Sequence, residues 1–112
     1  MVKLECILRP EKFEQVREAL SDFGVRGMTV SQVMGCGLQK GHTGYYRGAE
    51  VNVNLLSKVK LEIVTTEERV QEMVKIIRAK GVTGSIGDGK IFISPINDAI
   101  RMRTGENGID AL

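Results

Sequence analysis

Several residue types are scarce in this 112-residue chain, and each scarcity excludes a class of protein. Aromatic residues make up only 4% of the sequence and tryptophan is absent, which argues against a domain that stacks RNA bases on aromatic side chains. The formal net charge of +2 is too small for a general polyanion-binding surface, so no direct nucleic-acid partner is expected. Because the chain has no long apolar run and no signal-peptide pattern, we expect a cytoplasmic protein.

Cysteine and histidine are equally scarce. Cys6 and Cys36 each lie in an apolar segment without a CxxC motif, and His42 is the sole histidine. We therefore predict reduced structural cysteines, with a disulfide or redox role as the alternative, and no metal site built from Cys and His. His42 has no nucleophile or carboxylate motif beside it, which argues against a general base.

The first third of the chain shows regular periodicity. Hydrophobic residues make up 42% of the sequence, enough for one domain over residues 1–112. Residues 2–9 alternate as a strand does, and residues 10–23 repeat apolar side chains at helical spacing. Pro10 suits the first helical turn and Gly24 suits a left-handed stop. These patterns predict a strand, a helix and then a second strand over residues 26–36.

The rest of the chain repeats this pattern. Thr65 and Glu68 fit a capping box before a segment with a helical apolar stripe, and Gly81 suits the end of that helix. The predicted elements are a strand over residues 55–65, a helix over 67–80, a strand over 90–96, and a terminal coil or single helical turn.

The order of these elements is β-α-β-β-α-β. It predicts an α+β, ferredoxin-like βαββαβ sandwich with a four-stranded antiparallel sheet and two helices on one face. The other face keeps apolar residues such as Ile7 and Val64. A cyclic oligomer that buries this face is therefore expected.

The segment TGSIGDGKIF, residues 83–92, has the highest density of glycine. Glycines let main-chain N–H groups turn toward an anion, and a following lysine adds a charge for phosphate. The spacing from Gly84 to Lys90 matches G-x-x-x-x-G-K, but Ile91 replaces the Mg²⁺-binding Ser or Thr and a strand follows. The alternative is an ordinary connection, in which Asp88 caps its own turn instead of holding a metal.

Two further groups of basic residues are candidates for anion binding. Arg101 and Arg103 would point the same way on an extended backbone, which suits phosphate, although a solvated basic tail is the alternative. Lys58 and Lys60 lie on the polar side of a predicted strand and are surface lysines by default.

Residues 39–54, QKGHTGYYRGAEVNVN, show neither a helical stripe nor clean strand alternation. Two to five residues would be enough to join neighbouring strands. The segment is therefore predicted to be a long loop with a function of its own.

The whole sequence resembles the PII signal-transduction proteins, the trimeric sensors of nitrogen and energy status. The resemblance is carried, in order, by MTVSQVMGCGLQKGHT, YRGAE, KVKLEIV, TGSIGDGKIF and IRMRTGE. It implies a homotrimer with a T-loop at about 37–55, a B-loop at about 82–90 and a C-loop at about 101–109.

The resemblance implies that ATP or ADP binds between adjacent subunits. The residues implied for adenine and ribose are Thr29, Gly35, Gly37, Glu62 and Val64. Those implied for the phosphates are Gly87, Asp88, Gly89, Lys90, Arg101 and Arg103.

The resemblance also implies 2-oxoglutarate as an effector, together with Mg²⁺ that bridges it to the ATP phosphates. Gln39 would be the metal ligand and Lys58 would pair with the distal carboxylate. Main-chain amides of Gln39, Lys40 and Gly41 would hold the other end. ADP has no γ-phosphate and should not complete this site.

As partners, the resemblance implies the ammonium transporter, nitrogen-assimilation enzymes and transcription regulators. Arg47, flanked by Tyr46 and Gly48, would enter the transporter pore, so membrane association would be reversible and indirect. The implied role is regulatory, with at most a slow incidental ATPase. The alternative is a nucleotide-binding ferredoxin-like enzyme with phosphatase or phosphotransferase activity.

Several positions depart from the family pattern. Val51 replaces the tyrosine that is uridylylated in some members, and Ala49 replaces the serine that is phosphorylated in others. Tyr45 and Tyr46 are neighbours without an assigned modification. Leu38 replaces a common arginine near the phosphates, which predicts weaker ATP binding or a smaller advantage over ADP. The T-loop is thus expected to be governed by ligands alone.

Overall fold

A computed structural model describes residues 1–36, 42–46, 49–53 and 55–112, the second and third of these by their main chain. The predictions for Gly37, Leu38, Gln39, Lys40, Gly41, Arg47 and Gly48 lie outside the described residues.

The described residues form six strands and two α-helices. In chain order the elements are β1 (Val2–Leu8), α1 (Phe13–Phe23), β2 (Thr29–Cys36), β3 (His42–Tyr46), β4 (Ala49–Val53), β5 (Leu55–Thr65), α2 (Glu67–Gly81) and β6 (Lys90–Pro95). Short 3-10 helices lie at Pro10–Lys12 and Gly108–Ala111.

The main sheet has four antiparallel strands in the order β2-β5-β1-β6. The central strand β1 pairs with β5 on one side, where Leu4 lies opposite Ile63, and with β6 on the other, where Cys6 lies opposite Ile91. This connectivity confirms the predicted ferredoxin-like α+β fold.

One face of the sheet packs against both helices. Alternate β1 side chains point to this face and are buried, as the strand period requires. Each helix contributes residues one turn apart on its inner side. The largest fully buried side chains are Leu4, Cys6, Val16, Leu20, Leu61 and Met73.

The first helix begins later than predicted. Pro10 opens a 3-10 helix, and α1 follows from Phe13. Gly24 ends α1 with φ +103°, and its N–H reaches the Leu20 and Ser21 carbonyls. The predicted left-handed stop is confirmed.

The predicted capping box of the second helix is wrong. Thr65 is the last residue of β5, buried and opposite Val2, so it cannot cap the helix. Thr66 occupies the N-cap position instead, with its main-chain oxygen accepting from the Arg69 N–H at 3.2 Å. The apolar stripe located the helix correctly, and α2 ends at Gly81.

The predicted long loop contains regular structure. Strands β3 and β4 pair antiparallel, from His42 opposite Val53 to Tyr46 opposite Ala49. Tyrosine and valine favour strands, whereas the interspersed glycine and polar residues obscured the alternation in the sequence. The long segment between β2 and β5 thus includes a two-stranded antiparallel sheet, which the sequence pattern did not indicate.

The second face of the main sheet carries two ion pairs. Lys3 and Glu62 lie 2.6 Å apart, and Lys60 and Glu5 lie 3.4 Å apart. Phe92 on the same face is half exposed. The cyclic oligomer predicted to bury this face stays a prediction.

The C-terminal segment forms a bridge between Ile100 and Asn107 before its 3-10 turn. This agrees with the predicted coil or single turn. Neither α-helix in the described part of the chain is long and apolar enough to cross a membrane.

Candidate functional site

The glycine-rich loop, residues 83–89, connects α2 to β6 and is pressed against the end of β1. Gly84, Gly87 and Gly89 have φ of +91°, +106° and +97°, values that side chains other than glycine rarely adopt. A Cβ on Gly89 would lie 1.7 Å from the Ile7 carbonyl oxygen. Glycine is therefore required where the two main chains meet.

The Asp88 carboxylate closes the loop by hydrogen bonds to its first two residues. Its carboxylate accepts from the Thr83 N–H and the Gly84 N–H, each at 2.9 Å, and from the Thr83 hydroxyl. It also accepts from Arg9 Nε at 2.9 Å. The Thr83 hydroxyl and then Arg9 hold the pKa of Asp88 well below its usual range. Asp88 thus caps its own turn, as the alternative reading of the loop predicted, and its implied place among the phosphate-binding residues stays a prediction.

Arg9 also belongs to the site, although no sequence pattern indicated it. The side chain, mostly buried, also donates from Nη2 to the Ile86 carbonyl at 3.0 Å. Arg9 thus ties the end of β1 to two points of the loop. It lies 79 residues from Asp88, and no local pattern around it signals the contact.

Lys58 is buried, so its default reading as a surface lysine was wrong. Its Nζ donates to the Gly87 carbonyl at 2.6 Å. Burial, and then the charge of Arg9, lower the pKa of Lys58. An ammonium has three donors, and within the described residues one of them is used. A Cβ on Gly35 would lie 3.2 Å from Lys58 Cγ, so Gly35, Lys58 and Gly87 come together.

The two C-terminal arginines are not arranged as predicted. Residues 102–104 form a turn, so the backbone between Arg101 and Arg103 is not extended. Arg101 donates to the Glu106 carboxylate at 3.0 Å and to the Leu112 main-chain oxygen at 3.2 Å. Arg103 is exposed. An anion at Arg101 would have to compete with Glu106.

A cleft of about 860 Å³ brings together three of the residues predicted for adenine and ribose. Thr29 and Glu62 lie directly opposite each other on β2 and β5, and Val64 follows on the same face. Glu62 is held by Lys3, whose hydrogen bond lowers the pKa of the carboxyl. Ile109 and Leu112 line the far wall.

Strand β5 links this cleft to the glycine-rich loop. Lys58, Glu62 and Val64 share one face of β5 by strand alternation. Lys58 and Glu62 are four residues apart, which is about 13 Å along an extended strand. The cleft and the loop thus lie at two ends of one row of β5 side chains. Lys90 and Gly89 line a separate cavity of about 340 Å³ on the helix side, between α2 and β6.

Comparison with known proteins decides the family. The family description "Nitrogen regulatory protein P-II" matches residues 1–106. The protein of that name from Pasteurella multocida is 53% identical and that from Rhizobium meliloti 49%, with both chains covered completely. This chain belongs to the P-II family of nitrogen regulatory proteins.

A solved structure of B. subtilis GlnK matches with a TM-score of 0.82 at 42% identity, covering 99% of this chain and 97% of that one. The P-II chain is thus a signal-transduction regulator by family. A regulatory family is consistent with the expectation that the chain is not primarily an enzyme.

Part of the predicted P-II effector site lies outside the described residues. Gln39, the implied metal ligand, is among these. In the described part of the chain, no three His, Cys, Asp or Glu side chains are grouped to hold a metal ion. Of the implied residues for 2-oxoglutarate, Lys58 is the one that the structure describes.

Proposed function

We propose that this P-II protein senses nitrogen and energy status by binding ATP or ADP along β5. The observation that carries the proposal is the row of β5 side chains from the Thr29 and Glu62 cleft to the glycine-rich loop. The base and ribose occupy the cleft, and the phosphates meet the amides of Gly87 and Gly89. A span of about 13 Å suits a nucleotide with an extended phosphate chain.

A neighbouring subunit would complete the site. A homotrimer is the assembly expected of the P-II family, and the sheet face with Phe92 and Val64 is available for it. In such an assembly Arg101 and Arg103 would supply positive charge to the phosphates, because arginine suits phosphate oxygens. Lys90 would add a charge at the end of the loop.

We place the effector 2-oxoglutarate beside Lys58. A buried ammonium with two donors that contact no described residue suits the distal carboxylate. Main-chain amides of Lys40 and Gly41 would hold the other end. Mg²⁺, held by Gln39 and phosphate oxygens, would supply positive charge between the two ligands. The residues present are compatible with this, since Mg²⁺ commonly relies on few protein ligands plus phosphates.

Binding would act on partners through the T-loop. Ligands that favour one arrangement of the segment shift its population, and partners then select among arrangements. Arg47 with Tyr46 and Gly48 would present the contact to the ammonium transporter. Nitrogen-assimilation enzymes or transcription regulators would be other targets, with the protein cytoplasmic and only indirectly at the membrane. With valine at position 51 and alanine at 49, ligands alone would govern the loop.

Calorimetry with ATP and with ADP, each followed by a turnover assay, tests the proposal. We expect reversible binding of both nucleotides with negligible hydrolysis. Lys90→Met should weaken ATP binding. Lys75→Met, on the exposed side of α2, removes the same charge and should leave ATP binding unchanged. Robust turnover would instead support a phosphatase or phosphotransferase, and absence of binding would refute the site.

A further inference from the structure

The glycine-rich loop contains a carboxylate at its centre. If the loop binds phosphate, Asp88 places a negative charge beside an anion site, which Coulomb's law alone makes unfavourable. The hydrogen bonds of the Asp88 carboxylate explain why a negative charge is tolerated there.

Four donors saturate the Asp88 carboxylate. Oδ1 accepts from Arg9 Nε and the Thr83 hydroxyl, and Oδ2 accepts from the Thr83 and Gly84 N–H groups. An ionised carboxylate offers about four lone-pair sites. A metal ion or a ligand donor would have to displace one of these partners, so direct contact with a ligand is disfavoured.

The same contacts leave other groups of the loop free. Arg9 and Lys58 occupy the carbonyls of Ile86 and Gly87. The N–H groups of these two residues, by contrast, make no hydrogen bond with any described residue. With its carbonyls held by cations, the loop presents N–H groups, which is the polarity that an anion needs.

The geometry points to Asp88, partnered by Arg9 and Thr83, as a positioning residue that folds the loop for phosphate without touching it. This inference rests on the proposed function, because it assumes that the loop receives nucleotide phosphates. It assigns the carboxylate to loop geometry and, within the loop, leaves the main-chain N–H groups to the ligand, with Lys90 beside them.

The direction in which Asp88→Asn changes ADP affinity distinguishes a positioning role of the carboxylate from an effect of its charge. Asp88→Asn removes a negative charge, so tighter ADP binding would follow if charge alone mattered. In either orientation the asparagine amide nitrogen replaces one accepting oxygen, so at least one contact of the loop is lost. Positioning therefore predicts about tenfold weaker ADP binding, on the order of one lost hydrogen bond. Adenosine, which lacks phosphates, should bind to Asp88→Asn with the same affinity as to the unaltered protein. Asp22→Asn, on the exposed side of α1, is the control for charge.

Thr83→Val tests the same loop without changing charge, and Thr83→Ser keeps the hydroxyl as its matched partner. We expect Thr83→Val to weaken ADP binding and Thr83→Ser to bind ADP as the unaltered protein does. ADP is titrated without Mg²⁺ and again with it. A loss seen only with Mg²⁺ would make Asp88 a metal ligand and overturn the inference, as would tighter or unchanged ADP binding.

Amide hydrogen exchange keeps the inference separate from the proposed function. If the unaltered protein binds neither ADP nor adenosine, the proposed function fails. Exchange at Thr83 and Gly84 in the ligand-free protein then decides the positioning role. It should be faster in Asp88→Asn than in Asp22→Asn, and equal rates would overturn the inference. If Asp88→Asn and Thr83→Val both fail to fold by circular dichroism, their role is global and the inference is wrong.

Discussion

Gly89→Ala tests the close approach of the glycine-rich loop to β1. In the structure an alanine Cβ would lie 1.7 Å from the Ile7 carbonyl oxygen and 2.7 Å from its carbon. Contacts below 3.0 Å are essentially never made by real Cβ atoms, so the two main chains must separate by more than 1 Å. Ile7 is paired with both Lys60 and Lys90, so its strand cannot move without disturbing the sheet.

Gly84→Ala is the matched control for this substitution. Gly84 has φ +91°, close to the +97° of Gly89, but a Cβ there meets nothing within 4 Å. The conformational cost of alanine at positive φ, about 1–2 kcal/mol, applies to both variants. Overpacking applies to Gly89 alone and adds about 1–3 kcal/mol. We therefore expect Gly89→Ala to be less stable than Gly84→Ala by about 2 kcal/mol.

Urea unfolding followed by circular dichroism measures the difference, with all variants at one protein concentration because an oligomer makes stability concentration-dependent. The same samples are titrated with ATP. Gly89→Ala should also bind ATP more weakly, since the loop is displaced. Equal stability of the two variants, or lower stability of Gly84→Ala, would refute the reasoning about the contact with Ile7.

Three further predictions use other parts of the molecule. Leu20→Ala, at a fully buried position, should lower the free energy of unfolding by about 2–5 kcal/mol in urea; a loss below about 1 kcal/mol would contradict the core assignment. Burial raises the pKa of the Cys6 thiol to about 12, so in the folded protein at pH 8 a thiol reagent should label exposed Cys36 rapidly and Cys6 only after unfolding; rapid labelling of both would contradict its burial. Lys58→Met should weaken 2-oxoglutarate at least about tenfold while destabilising the fold by only about 1 kcal/mol, as calorimetry and urea unfolding would show; unchanged 2-oxoglutarate affinity would exclude Lys58 as its partner.

The sequence predicted the fold well because its elements follow simple periods. The helical stripe of Val16 and Leu20 and the alternation of β1 both reflect burial on one side, which is a local property of the chain. Errors occurred where neighbouring residues are chemically equivalent. Thr65 and Thr66 both suit an N-cap, and only the register with Val2 places Thr65 in the sheet.

The candidate site was less accessible from the sequence. The pattern of Gly87, Gly89 and Lys90 indicates a loop that suits anions. The contacts that shape this loop come from distant parts of the chain. Arg9 and Lys58 reach the loop across 79 and 29 residues. Such contacts depend on how β1, β5 and the loop meet in space, and no local pattern records them. Lys58 is likewise buried where β5 meets the glycine-rich loop, at the Gly87 carbonyl.

The most direct test of the proposed sensor is calorimetry of 2-oxoglutarate binding, first with Mg²⁺ and ATP present and then with ADP in place of ATP. We expect binding in the first case only, because ADP has no γ-phosphate. By reciprocity, 2-oxoglutarate should tighten ATP binding by the same factor. Equal binding with ATP and with ADP, or binding without any nucleotide, would contradict the proposal.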